Sequence, residues 1–278
     1  MITLVEGLAF PEGPRWREDR LWYSDMHRQV VETVTLDGER EEVCRIPNDP
    51  SGLGFLPDGR LLVVSMTDRK IMRMENDGSL VVHADLFELA SFHLNDMVVD
   101  AQGRAYVGNF GFDLHNGAEP LPAELILVEP DGSARVAAED MQFPNGSVIT
   151  PDGSTLIVGQ SFGGDLLAFP IADDGDLGDR WQWAHLGGGV PDGICLDAEG
   201  AVWYADPVQG GCVRVAEGGV ELQQVATDYD CFACMLGGPE RKHLFLLTSE
   251  DSSPATAAAA ASGRIEVVEV DVPGVGWP

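Results

Sequence analysis

Five short motifs set an oxygen-bearing side chain beside a glycine or a second acid, immediately before an apolar run: Glu12-Gly13, Ser51-Gly52, Asn95-Asp96, Asn145-Gly146 and Asp192-Gly193. Carboxylate and amide oxygens brought to one point suit a hard divalent cation such as Ca²⁺ or Mg²⁺, with Mn²⁺ also within their range. Each motif has an ordinary alternative. Asn-Gly is a common type I′ hairpin signal and Asp-Gly a common turn, and Glu12 after Phe10-Pro11 also reads as a solvated loop carboxylate. Against this, Asn145 and Asp192 each follow a proline and a clear hairpin turn comes several residues later, so a second turn would leave almost no strand.

Convergence needs a scaffold, and the sequence repeats in the way that provides one. Copies of one pattern start at Glu12, Ser51, Asn95, Asn145, Asp192 and Ala233, the first and last degenerate. Each runs as an apolar strand, a tight turn, a second apolar strand ending on small or polar residues, and a third strand. The turns at Pro57-Asp58-Gly59, Gln102-Gly103, Pro151-Asp152-Gly153 and Glu199-Gly200 put glycine where a hairpin needs positive φ. A spacing of roughly 40–50 residues matches one four-stranded blade of a propeller. The expectation is therefore an all-β fold: a six-bladed β-propeller of four-stranded antiparallel blades forming one domain over residues 1–278. Its ring would be closed by the N-terminal strand Ile2 to Val5 lying beside Arg264 to Val270. First strands line the channel of a propeller, so the five motifs would meet at one of its mouths. Asp85 to Ala90 is the one short helical candidate, Ala257 to Ala261 reads as a surface loop, and residues 108–124 form an insertion that could cover the channel mouth.

Composition narrows the partners. Seventeen Lys plus Arg against 46 Asp plus Glu give a formal charge of −29, a field that repels nucleic acid and anionic membranes. No signal-peptide pattern opens the sequence and no apolar run is long enough to span a bilayer, so a cytoplasmic location is expected. Five scattered cysteines do not make a disulfide framework. Cys231-x-x-Cys234 lacks the second pair of a zinc site, and buried thiols are expected. No glycine-rich phosphate loop argues for a nucleotide. The six tryptophans, Trp277 among them, read as blade packing rather than a sugar-stacking platform.

The phrases FPEGPRW (Phe10 to Trp16), LNDMVVDAQGRAYVG (Leu94 to Gly108), FPNGSVITPDGSTLIV (Phe143 to Val158) and PDGICLDAEGAVWYAD (Pro191 to Asp206) resemble the SMP-30/gluconolactonase/LRE family. The resemblance runs through essentially the whole chain in order. It implies a metal-dependent lactonase acting on a small lactone or ester. It further implies that one divalent ion, Ca²⁺ ahead of Zn²⁺, Mn²⁺ or Mg²⁺, is held by Glu12, Asn145 and Asp192. Asn95 would contact substrate or a water, and Asp192 would double as the catalytic base. As an anionic ligand Asp192 is expected to have a lowered pKa, which keeps Asp96 as a second candidate for the base. Sugar-lactone members often carry arginine two residues before Asn95; here His93 stands at that substrate-binding place, and imidazole cannot grip hydroxyls through a planar fork. A less polar pocket with Phe110, Phe112 and His115 is expected.

Two other readings compete. Gly159-Gln160-Ser161-Phe162-Gly163 fits a nucleophile elbow, but a further strand follows where that elbow requires a helix. A non-catalytic ligand- or protein-binding propeller with a structural divalent ion would present the same oxygen donors.

Overall fold

The hairpin glycines adopt the backbone that only glycine takes without cost. Gly59, Gly103, Gly153 and Gly200 have φ of 91°, 86°, 73° and 77°, and each joins the first and second strands of a blade. The computed structural model describes residues 1–276 and contains six four-stranded antiparallel sheets. Trp277 lies outside the described residues.

Blades 1 to 5 open with Pro11–Arg17, Pro50–Phe55, Leu94–Val99, Pro144–Ile149 and Ile194–Leu196, and each adds its next three strands outward in chain order. Blade 6 is composite. Asp230–Gly237, His243–Ser249 and Gly263–Glu269 are completed by the N-terminal strand Ile2–Leu8, with Ile2 opposite Val267 and Leu8 opposite Gly263. The start of the chain thus covers an edge that would otherwise offer unpaired backbone groups.

Between blades the apolar faces interdigitate. Leu21 and Tyr23 of blade 1, Trp203 of blade 5 and Phe245 of blade 6 share one buried cluster. Trp183 and Trp203 are buried, Trp16 stacks on Phe245 with ring centroids 5.4 Å apart, and Trp22 meets Phe55 edge-on. Trp181 is instead exposed and donates to Glu217.

Two local expectations change. Residues 85–90 form the end of a strand and a turn, with one helix-type bond from Ala90 N to Leu86 O, because six residues do not offset the cost of helix nucleation. Ala257–Ala260 forms one helical turn, not an irregular loop, as a run of the strongest helix former can. Among the described residues no helix is long and apolar enough to cross a membrane.

The first strands pack so closely around the channel that a side chain in place of the glycine after Glu12, Ser51, Asn145 or Asp192 would collide. A Cβ on Gly13 would lie 2.5 Å from Ser51 O, and one on Gly146 would lie 2.5 Å from Asp192 O. Gly13 also sits at φ 56°. Gly13→Ala is therefore expected to destabilise the fold by roughly 2–4 kcal/mol in urea unfolding, combining left-handed strain with overpacking. Gly7→Ala, at φ 77° with nothing within 4 Å, should cost only about 1 kcal/mol.

Candidate metal centre at the channel mouth

Two repeated devices aim the channel residues. In five blades the first strand slips register against the second at the motif itself: between Glu12 and Arg15, Pro50 and Leu53, Leu94 and Met97, Pro144 and Ser147, and Cys231 and Ala233. A bulge of this kind turns a side chain out of the regular alternation. The second device is the polar residue that ends the second strand. Asp25 accepts from Phe10 N at 2.9 Å, Asn109 from Phe92 N at 3.4 Å, Gln160 from Gln142 N at 2.8 Å, and Asp206 from Val190 N at 3.1 Å. Each bond ties down the loop that runs into Glu12, Asn95, Asn145 or Asp192. Those polar strand ends are visible in the sequence; their partners are not.

Glu12, Asn95, Asn145 and Asp192 line one cavity of about 120 Å³. Asn145 Nδ2 donates to Ser161 Oγ at 3.1 Å, and Ser161 in turn donates to Pro191 O at 2.7 Å. Asn95 Nδ2 likewise donates to Pro144 O at 3.3 Å, and Glu12 accepts from Gly13 N at 2.9 Å. Among the described residues no group of three or more His, Cys, Asp or Glu side chains could hold an ion. Any metal here must therefore use the amides with the two carboxylates.

The electrostatics fit such an ion. Burial, and then the charge of Asp192, push the Glu12 carboxyl well above its ordinary range. Asp192 is pushed up to about 8, first by burial, with a hydrogen bond to Asn145 opposing and the charges of Asp96 and Asp206 adding. The expected lowering of Asp192 is thus reversed by the protein's own groups. Two carboxylates that resist ionisation, next to two oriented amides, lack the positive charge that a hard divalent cation brings.

The other sequence candidates fall elsewhere. Asp96 does not line the cavity; it pairs with Arg15 Nη2 at 2.7 Å and accepts from Met97 N. Ser51 is buried, and its carbonyl accepts from Ser24 Oγ at 2.7 Å. His93 is also outside the lining: its ring stacks on Phe92 at 4.2 Å and its Nδ1 is buried without a partner. The 108–124 insertion contributes Phe110, Leu114 and His115 to the wall, while Phe112 packs against Phe143 and Phe162. All five cysteines are free and buried, with Cys195 and Cys234 sulfurs 3.8 Å apart. Sequence reading missed Phe10, Met26, His27, Met66 and Phe232 as cavity residues. It also missed Ser161, at the end of the paired strand in the same blade, as the support of Asn145, because that role depends on side-chain placement that the sequence pattern does not carry.

A closed six-bladed propeller with buried carboxylate and amide oxygens at its channel mouth defines the class of protein. Residues 10–250 match the SMP-30/Gluconolactonase/LRE-like region, and the chain belongs to that family. It is 28% identical over 278 residues to a 6-deoxy-6-sulfogluconolactonase from Pseudomonas putida, covering 96% of this chain and 93% of that one. It is 25% identical to pentonolactonase XacC from Haloferax volcanii, covering 94% and 92%. The crystal structure of a calcium-binding protein, regucalcin from Agrobacterium tumefaciens, shares the fold with a TM-score of 0.81 and 21% identity, covering 99% and 95%.

Ser161→Ala is expected to leave the fold intact and weaken Ca²⁺ binding by roughly 10–100-fold in calorimetric titration, as loss of a supporting hydrogen bond does at metal sites. The raised carboxyls predict a pH signature for protein stripped of divalent ions. Because both folded pKa values are raised, their stability contribution is complete below about pH 4; that of Asp192 is lost as pH rises through about 8, and that of Glu12 as pH rises through its own raised value. Melting temperature in chelator should fall across that window, and saturating Ca²⁺ should flatten the curve.

Proposed function

We propose that this protein is a divalent-metal-dependent lactonase that opens a small cyclic ester by attack of water in the channel mouth. The observation that carries the reading is the pair of buried carboxylates, Glu12 and Asp192, with the oriented amide of Asn145 in one cavity. Lactone-opening relatives that span nearly the whole chain support it.

Glu12, Asn145 and Asp192 would hold the ion, with Ca²⁺ suited to an all-oxygen set. When bound, such an ion polarises the ester carbonyl and makes a nearby water more acidic. The remaining steps belong to the chain's own side chains. Asp192 takes the proton from the attacking water at a carboxylate oxygen and returns it to the departing alkoxide, so the carboxylate base is regenerated each cycle. Asn95, fixed by its bond to Pro144 O, presents its amide oxygen as an acceptor for a substrate hydroxyl or water. Phe10, Phe110, Phe143 and Phe232 keep bulk water from the reacting atoms. Asp96 is committed to Arg15 and takes no proton in this scheme. Five free cysteines suit a reducing compartment, which favours the cytoplasm.

The test is hydrolysis of a γ- and δ-lactone panel with chelated protein, with single ions restored, and with Asp192→Asn. Turnover should vanish on chelation and return with Ca²⁺ or Mn²⁺. Asp192→Asn should lower kcat by about 10²–10⁴-fold while retaining the fold by circular dichroism. Turnover that survives both treatments would overturn the scheme. A Ca²⁺-stabilised protein that opens no lactone would point to a binding propeller.

A further inference from the structure

Apart from its oxygen donors and from His27, His115 and Ser252, the cavity is walled by apolar side chains, chief among them Phe10, Met26, Met66, Phe110, Phe143 and Phe232. The rings brace one another. Phe10 meets Phe232 edge-on at 4.7 Å, Phe110 lies 4.6 Å from Phe143, and Phe143 lies 5.2 Å from Phe162 at the rim. The wall is therefore preformed, and a ligand need not order it.

Polar groups that could answer ring hydroxyls are scarce. His27 stacks on Phe10 at 5.4 Å and places its Nε2 3.3 Å from Ser252 O, while His115 rests near Phe110 at 6.1 Å. No lysine or arginine lines the cavity. The guanidinium of Arg15, on the same strand as Glu12, is spent on Asp96 and on the carbonyls of Pro14 and Met97. A substrate with hydroxyls around its ring would bury donors and acceptors against phenyl faces and lose their hydration. One with a sulfonate or carboxylate would meet Glu12 and Asp192 with no cation from the wall to balance it.

We infer that the substrate is a γ- or δ-lactone whose ring carries an alkyl or aryl group in place of hydroxyls, seated against Phe10, Phe110 and Phe232. This rests on the lactonase reading above. At about 120 Å³ the cavity is smaller than the ~300–1,000 Å³ of sites for drug-sized ligands, which limits the substrate to one lactone ring carrying one alkyl or phenyl group.

The experiment compares γ-phenyl-γ-butyrolactone, δ-valerolactone and glucono-δ-lactone as substrates of the Ca²⁺-loaded wild-type protein. In parallel, calorimetry measures binding of the phenyl-substituted and polyhydroxylated lactams, which are not hydrolysed. The phenyl lactone should exceed both others in kcat/KM by roughly tenfold or more, and the phenyl lactam should bind tighter than the hydroxylated one by a similar factor. Phe232→Asn should shrink the phenyl-to-gluconolactone ratio by about tenfold; the wild-type comparison decides without it if the variant does not fold. Equal or reversed preference in turnover and in lactam binding overturns the inference while leaving lactonase activity standing. Selective phenyl-lactam binding without any lactone turnover overturns the lactonase reading and upholds the apolar pocket.

Discussion

Glu12 and Asp192 enter the channel mouth from blades 1 and 5, both partly withdrawn from water, and the charge of Asp192 raises the proton affinity of Glu12. Isolated buried carboxylates are costly, and folds keep them only where a counter-charge or a proton makes up the deficit. The neighbouring features make sense in relation to that pair. Asn145 is turned by Ser161, Asn95 is turned by a backbone carbonyl, and the one nearby guanidinium is tied to Asp96 and cannot neutralise the two acids.

Holding like charges together requires a frame that cannot relax, and ring closure is the source of that stiffness. The strand Ile2–Leu8 pairs with the last blade, so separating Glu12 from Asp192 would mean opening the ring or breaking contacts between first strands. Bulges at the motifs turn the donors inward at the point where strand pairing is interrupted. Polar residues at the ends of the second strands then anchor the loops leading into them.

Selectivity comes from a different set of residues. His93, the place where an arginine would grip a sugar, is turned onto Phe92 and away from the cavity. The wall instead comes from loops before first strands, from the 108–124 insertion and from blade 6. Phe10 and Phe143 share their loops with Glu12 and Asn145, whereas Phe110 and Phe232 stand on segments without a donor, so a change at these two can alter the substrate without disturbing the donors.

The repeat, its hairpin glycines and the N-terminal closing strand were legible in the sequence because they depend on local turn chemistry and period-two apolar patterning, which neighbouring residues determine. The oxygen donors were legible for the same reason: each occupies the same place in its copy of the repeat. Four things were decided only by the tertiary structure. These are the pairing of Asp96 with Arg15, the support Ser161 gives Asn145, the withdrawal of His93, and the aromatic wall that brings Phe10 onto Phe232. Arg15 with Asp96 and Phe10 with Phe232 join residues from different blades and exist only once the ring has closed, whereas Ser161 with Asn145 and His93 with Phe92 turn on how side chains pack within one stretch of the fold, which turn chemistry and period-two patterning do not encode.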